Sequence, residues 1–138
     1  MAKSSRKPSF VHYGEGDQEI CVGEFHYGSA ADSKVLEPNK GIKTFLTDPP
    51  YNLGFDYGPE VNDKQPEEDY HQMMEDVFDS CYEAAGDNAN LFIIHYPQDL
   101  AKMWSRLTKK WKFHQWITWA YPANFGHSTK KWTNASRT

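Results

Sequence analysis

Asp48-Pro49-Pro50-Tyr51-Asn52-Leu53-Gly54 follows the apolar run Ile42-Lys43-Thr44-Phe45-Leu46-Thr47, and Gly41 precedes that run. A short apolar run bounded by a glycine and two prolines reads as a buried strand. Asp48 therefore falls at the carboxyl end of a strand, where open α/β sheets place their ligands. The prolines fix the backbone and remove two amide donors, so carbonyls there are expected to stay open to a ligand. Tyr51 adds a flat aromatic face. A carboxylate, a rigid carbonyl and an aromatic plane suit the exocyclic amine of an extruded nucleobase.

The flanking sequence alternates strand and helix. Residues 18–23 contain Ile-Cys-Val and read as a short strand. Residues 52–65 carry Gly54, Gly58, Pro59 and Asn62-Asp63, a loop by composition. Pro66 fits the first position of a helix, and Glu67, Glu68 and Asp69 favour the positive end of its dipole. Tyr70, Met73, Met74, Val77, Phe78, Cys81, Ala84 and Ala85 then recur at helical spacing, and Gly86 reads as the stop. The methionines at that spacing read as core rather than as soft ligands. Asn90 to His95 reads as a second apolar strand, and His95 as a capping or core histidine. Pro97 opens a further helix with Leu100, Trp104, Leu107 and Trp111 on one face. Phe113 to Tyr121 reads as a third strand, and a loop is expected from Pro122 onward. Apolar strands alternating with helices predict an α/β fold with a mostly parallel sheet covered on both faces.

Composition narrows the class. The chain has 138 residues, 38% of them hydrophobic and 15% aromatic, which suits one globular domain and not disorder. It has no run of eighteen apolar residues, and the basic start, Met1 to Lys7, leads into no apolar stretch, so neither a membrane span nor a secretory signal is read. Cys21 and Cys81 stand apart, with no metal-ligand spacing, and read as reduced thiols of a cytoplasmic protein without a metal site.

Charge is unevenly placed. Residues 1–100 hold all 19 acidic residues and 7 of the 15 basic ones, whereas residues 101–138 hold eight basic residues and no acid. A basic segment interleaved with Trp104, Trp111, Trp116, Trp119 and Trp132 suits a polyanion. For Lys102, Arg106, Lys109 and Lys110 the plainer reading, a solvated helix face, is preferred; for Lys130 and Lys131, in the final loop, phosphate contact is.

The Asp48–Gly54 stretch resembles the signature of the amino-methyltransferases of DNA, which move a methyl group from S-adenosylmethionine (SAM) to the exocyclic amine of adenine or cytosine. Trp116-Ile117-Thr118-Trp119-Ala120-Tyr121-Pro122, with Asn124-Phe125-Gly126-His127-Ser128, resembles a later motif of the same family, an aromatic strand running into a loop near the target base. The order matches the first half of the beta class, over roughly residues 18–138. The resemblance implies a partial Rossmann-like SAM-dependent methyltransferase fold, with residues 1–17 an N-terminal extension, 18–121 the catalytic half and 122–138 a basic loop. It implies that Asp48 and the Pro49 carbonyl each accept one amine hydrogen within the Asp48-Pro49-Pro50-Tyr51 element. Tyr51 would stack on the base, with Trp119 or Tyr121 on its other face. Asp48 and, more loosely, Glu24 would approach SAM, although a surface role for Glu24 is the plainer reading. His127, Ser128, Lys130 and Lys131 would contact double-stranded DNA.

The family's Phe-x-Gly-x-Gly motif for SAM is not found; Gly14-x-Gly16 lies in a polar stretch before the first strand. In beta-class order that motif and the target-recognition region would follow residue 138, so the expectation is a truncated or split enzyme, completed by a second polypeptide or by self-association. The expected activity is adenine-N6 methylation of DNA in a bacterium or phage-infected cell, with N4-cytosine methylation as the alternative. An RNA or protein-glutamine methyltransferase, a non-enzymatic DNA-binding module, an inactive remnant and an unrelated α/β domain are the other readings. The first is disfavoured because only 47 residues, without a glycine motif, precede the Pro-Pro-Tyr element.

Overall fold

A computed structural model of the chain describes residues 7, 9–14, 16, 20–36, 40–59, 62–120 and 136–137. In order these form β1 (Ser9–Tyr13), β2 (Ile20–Phe25), α1 (Ser33–Leu36), β3 (Ile42–Thr47), α2 (Glu67–Ala84) and β4 (Ala85–Ile93). Two short helices, α3 (Pro97–Lys102) and α4 (Trp104–Leu107), and the two-residue strands β5 (Trp119–Ala120) and β6 (Ser136–Arg137) complete them. The fold is mixed α/β. β3 and β4 pair in parallel, with Phe45 opposite Leu91 and Leu46 opposite Phe92, and α2 makes the crossover between them.

α2 begins one residue later than the sequence predicts, at Glu67. Pro66 precedes it, and three acids occupy its first turn, where the helix dipole favours negative charge. Its buried face carries Tyr70, Met74, Val77, Phe78, Cys81 and Ala84. One part of this stripe packs with Leu100 and Met103, the other with Phe45. Trp111 bridges the two clusters: its ring meets Phe45 edge-on at 6.1 Å, and its indole N–H donates to the Phe78 carbonyl at 3.1 Å. Burial also pushes the Cys81 thiol up to about 11, so it behaves as a small core residue and not as a thiolate.

The end of α2 differs from the expected glycine stop. Ala85 leaves the helix directly in an extended conformation, and Gly86 is already within β4. Gly86 is needed for proximity: a Cβ there would lie 2.8 Å from the carbonyl oxygen of Gly41, at the base of β3. β4 therefore starts five residues before the apolar run.

Three further expectations are corrected. The first strand spans Ile20–Phe25, and it pairs antiparallel with β1, which lies within the stretch read as an extension. The aromatic segment forms only the two-residue β5, paired antiparallel with β6; residues 112–118 have no regular structure. Phe113, Trp116, Ile117 and Trp119 are all exposed, so these side chains lack the buried neighbours that would hold a strand there. Finally, helices cover one face of the β3–β4 pair, while Leu46 and Phe92 on the other face are 72% and 44% exposed. No helix among the described residues is long and apolar enough to cross a membrane.

The basic stretch of the last third is bound to α2. Lys102 pairs with Glu67 at 3.2 Å, Lys109 with Glu75 at 2.7 Å and Lys110 with Asp79 at 2.8 Å. Arg106 pairs with both Glu68 and Glu75. These cations lie on a solvated face, as the plainer reading has it, but their charge is matched by acids some 31 to 38 residues earlier in the chain.

Gly86→Ala is expected to push the bases of β3 and β4 apart and destabilise the protein by about 1–3 kcal/mol, the usual cost of overpacking. Thermal unfolding of the two proteins checks this; an unchanged midpoint would mean that the close approach to Gly41 relaxes freely.

Candidate active site

The acid of the Pro-Pro element leaves β3 at its carboxyl end. The amide of Ile94 donates to the Thr47 carbonyl at 2.9 Å, which carries the parallel ladder one step beyond β4 and, in the same register, sets Asp48 level with Ile94. Asp48 is exposed, and its Oδ1 accepts from the Tyr51 hydroxyl. The Tyr51 ring stands edge-on to His95 at 5.0 Å and to Tyr96 at 5.1 Å. The element thus folds back on itself, with Asp48 and Tyr51 joined across the two prolines.

The two proline carbonyls are not equivalent. That of Pro50 accepts from the Tyr70 hydroxyl at 2.8 Å. This corrects the expectation that carbonyls of the rigid turn stay open. The Pro49 carbonyl accepts no hydrogen bond among the described residues. The Tyr70 oxygen also lies 2.6 Å from Nε2 of His95, which is fully buried. Burial, then the nearby charges of Asp99 and Asp63 and the Tyr51 hydroxyl, raise the Tyr70 pKa well above its ordinary value. Tyr70 therefore stays a neutral O–H donor. His95 and Tyr70 both read from sequence as core residues; their polar ends meet only because α2 packs across the end of the sheet.

The loop after Tyr51 is held by a second carboxylate. Asp63, 3% exposed, accepts from the backbone amides of Asn52 at 2.8 Å, Leu53 at 3.1 Å and Phe55 at 2.9 Å. The Asp63 carbonyl accepts from Gly54 at 2.7 Å. Asn52 is left-handed, with φ of 58°, and its side-chain amide both accepts from and donates to the backbone of Gln65, at 2.7 and 2.9 Å. Asn tolerates this conformation better than most residues, because its short polar side chain bonds locally. Nothing in the sequence separates Asp63 from an ordinary turn acid, since its partners lie 8 to 11 residues earlier.

Comparison with known proteins gives the family. Residues 42–138 match the N6_N4_Mtase family model, that of a DNA methylase. The chain belongs to this DNA methylase family. It is 27% identical over 97 residues to the Type II methyltransferase M.BamHI of Bacillus amyloliquefaciens, a match covering 70% of this chain and 23% of that protein. It is 30% identical over 95 residues to the Type II methyltransferase M.HpaI of Haemophilus parainfluenzae, covering 67% of this chain and 30% of that protein. The chain spans less than a third of the length of these curated relatives.

The remaining sequence candidates are dispersed. Glu24 lies on β2, in the β1–β2 hairpin outside the matched residues, where its carboxylate meets His26 at 2.9 Å. Among the described residues no hydrogen bond or ion pair links it to Asp48. Trp119 lies on β5 and is 60% exposed. Tyr121, His127, Ser128, Lys130 and Lys131 lie outside the described residues. No cluster of three or more potential metal ligands occurs among the described residues.

Asp63→Ala is expected to strip three amides of their acceptor and to destabilise the protein by about 1–3 kcal/mol, the scale for an unmade bond to a buried partner. Hydrogen exchange should rise most at Asn52, Leu53 and Phe55. Unchanged protection there would show that the loop does not depend on this carboxylate.

Proposed function

We propose that this methylase domain supplies the amine-binding part of a DNA adenine-N6 methyltransferase that uses SAM as methyl donor. The observation that carries the reading is the Asp48–Tyr51 turn at the carboxyl edge of the parallel pair. It offers two acceptors, Asp48 Oδ2 and the Pro49 carbonyl, on a backbone anchored through Pro50.

The amine of adenine is a poor nucleophile because its lone pair is conjugated into the ring. Two acceptors, each taking one amine hydrogen, draw the nitrogen toward a tetrahedral form and aim its lone pair away from the ring. Asp48 and the Pro49 carbonyl are assigned these roles, while Pro50 fixes the turn. Tyr51 is assigned to stack on the extruded base, a contact worth about 1–3 kcal/mol, and Trp119 or Tyr121 to cover its other face. The rate gain is then mainly orientation and electrostatics, without a covalent enzyme intermediate. SAM supplies an electrophilic methyl group on a sulfonium.

In the loop that joins β3 to α2, the amides of Asn52, Leu53 and Phe55 are taken by the Asp63 carboxylate and so are not open to a ligand. We propose that a second polypeptide segment, or a second copy of the chain, completes the SAM site beside Asp48, with Glu24 as a further contact. Double-stranded DNA is the proposed substrate. With Lys102, Arg106, Lys109 and Lys110 paired to α2, the phosphate contacts are assigned to Lys130 and Lys131, with His127 and Ser128 as further contacts. The reading places the enzyme in the cytoplasm of a bacterium or phage-infected cell. Adenine is preferred over cytosine on the family resemblance of an Asp at position 48.

In the completed enzyme, Asp48→Ala is expected to lower transfer of labelled methyl from SAM to DNA at least about 100-fold, with the far-UV circular dichroism unchanged. Normal turnover would remove Asp48 from the reaction. Replacing Lys130 and Lys131 together by Ala is expected to weaken DNA binding and reduce the slope of log affinity against log salt by about 2. An unaltered slope would take these lysines off the phosphates.

A further inference from the structure

We propose that Tyr70 and His95 are positioning residues for the Asp48 turn, acting as a directed hydrogen-bond chain from the end of β4 to the Pro50 carbonyl; this rests on the amine-transfer reading above. The direction of the chain follows from its fixed ends. The backbone amide of Tyr96 can only donate and lies 2.9 Å from His95 Nδ1, whereas the Tyr96 carbonyl, which can only accept, lies farther from the same nitrogen, at 3.3 Å; the shorter contact favours Nδ1 as the acceptor. A neutral imidazole then carries its hydrogen on Nε2, which faces the Tyr70 oxygen at 2.6 Å. Pro50 has only a carbonyl to offer, so the Tyr70 hydroxyl donates to it, at 2.8 Å. With its one hydrogen on the Pro50 carbonyl, the Tyr70 hydroxyl has its oxygen left to accept from His95 Nε2, so the chain points toward Pro50.

The chain is anchored at both ends. Tyr70 is 3% exposed and packs with Met74, Phe78, Leu100 and Met103. His95 is fully buried, and its ring also meets the edge of Tyr51. Fixing the Pro50 carbonyl fixes the peptide between Asp48 and Tyr51, and so the direction of the Pro49 carbonyl and of the Asp48 carboxylate. A second carboxylate network, at Asp63, holds the far side of the same turn. Tyr70 and His95 need not touch the base or the methyl donor; they act by holding the turn against the sheet.

The test combines nuclear magnetic resonance of the chain with kinetics of the completed enzyme. The imidazole nitrogen spectrum of His95 is expected to show a hydrogen on Nε2 and none on Nδ1. In Tyr70→Phe the carbonyl carbon of Pro50 and the carboxyl carbon of Asp48 are expected to shift, while the methyl resonances of Val77 stay in place. Tyr70→Phe should lower kcat about 10–100-fold, the scale of a misplaced reacting group, with KM for DNA and SAM within about 2-fold. His95→Gln, whose amide can still donate to Tyr70, should retain more kcat than His95→Leu. A hydrogen on Nδ1, or Pro50 and Asp48 resonances indifferent to the loss of the hydroxyl, overturns the chain whatever the kinetics show. Shifted resonances with unchanged kcat overturn the positioning role. Shifted resonances in an enzyme that moves no methyl group in any form leave the chain standing as the device that sets the turn, and overturn the amine-transfer reading instead. A Tyr70→Phe protein that fails to fold leaves the decision to the His95 tautomer and to the two His95 variants.

Discussion

The hydroxyl of Tyr70 is the constraint on which the rest of the site depends. It lies inside the protein, between an imidazole and a proline carbonyl, and each of those groups belongs to a different part of the chain. A buried hydroxyl without partners would cost about 1–3 kcal/mol, so α2, the end of β4 and the Pro-Pro turn are tied to one mutual placement. The ring of the same residue is the first large apolar group of the α2 stripe. Packing of the helix and geometry of the turn are therefore set by one side chain. A helix register error of one residue would bring a charge, Asp69, to this point instead.

Two other features extend that placement. Gly86 lets the base of β4 approach Gly41, which fixes how β3 and β4 sit in parallel. At the outer side, acids of α2 face the cations of α3, α4 and the turn after α4. Exposed pairs of this kind are individually weak, but they orient the helices and become weaker in salt. They also change the meaning of the chain's charge asymmetry. Half of the basic residues beyond position 100 answer acids within the fold, so an unequal distribution along a sequence need not become a charged patch in space.

What was legible in the sequence is what depends on local pattern. The apolar run before Asp48, the acid-rich start of α2 and its three- and four-residue repeat are short-range signals, and the elements lie where those signals place them. The aromatic run from Phe113 to Tyr121 carried an equally strong pattern of strand-forming residues, yet residues 112–118 are irregular, because strand formation needs a neighbour and composition cannot supply one. β1 was hidden for the converse reason: Ser-Phe-Val-His-Tyr is exposed along its whole length and shows no buried face to read. The placement of Asp48 to Tyr51 at the carboxyl end of β3 could be read directly. Tyr70, His95 and Asp63 could not, since their roles rest on contacts between residues 8 to 25 apart whose polar and apolar duties are combined in one side chain.

The central claim is that the turn bearing Asp48 presents two acceptors to the exocyclic amine of a DNA base. The most direct measurement is mass spectrometry of nucleosides from unmethylated duplex DNA after incubation with the completed enzyme and isotopically labelled SAM. The account predicts labelled N6-methyladenine. Label on a ring carbon, such as C5 of cytosine, would contradict it, because carbon methylation gains nothing from a carboxylate and a carbonyl that each take a hydrogen from an amine.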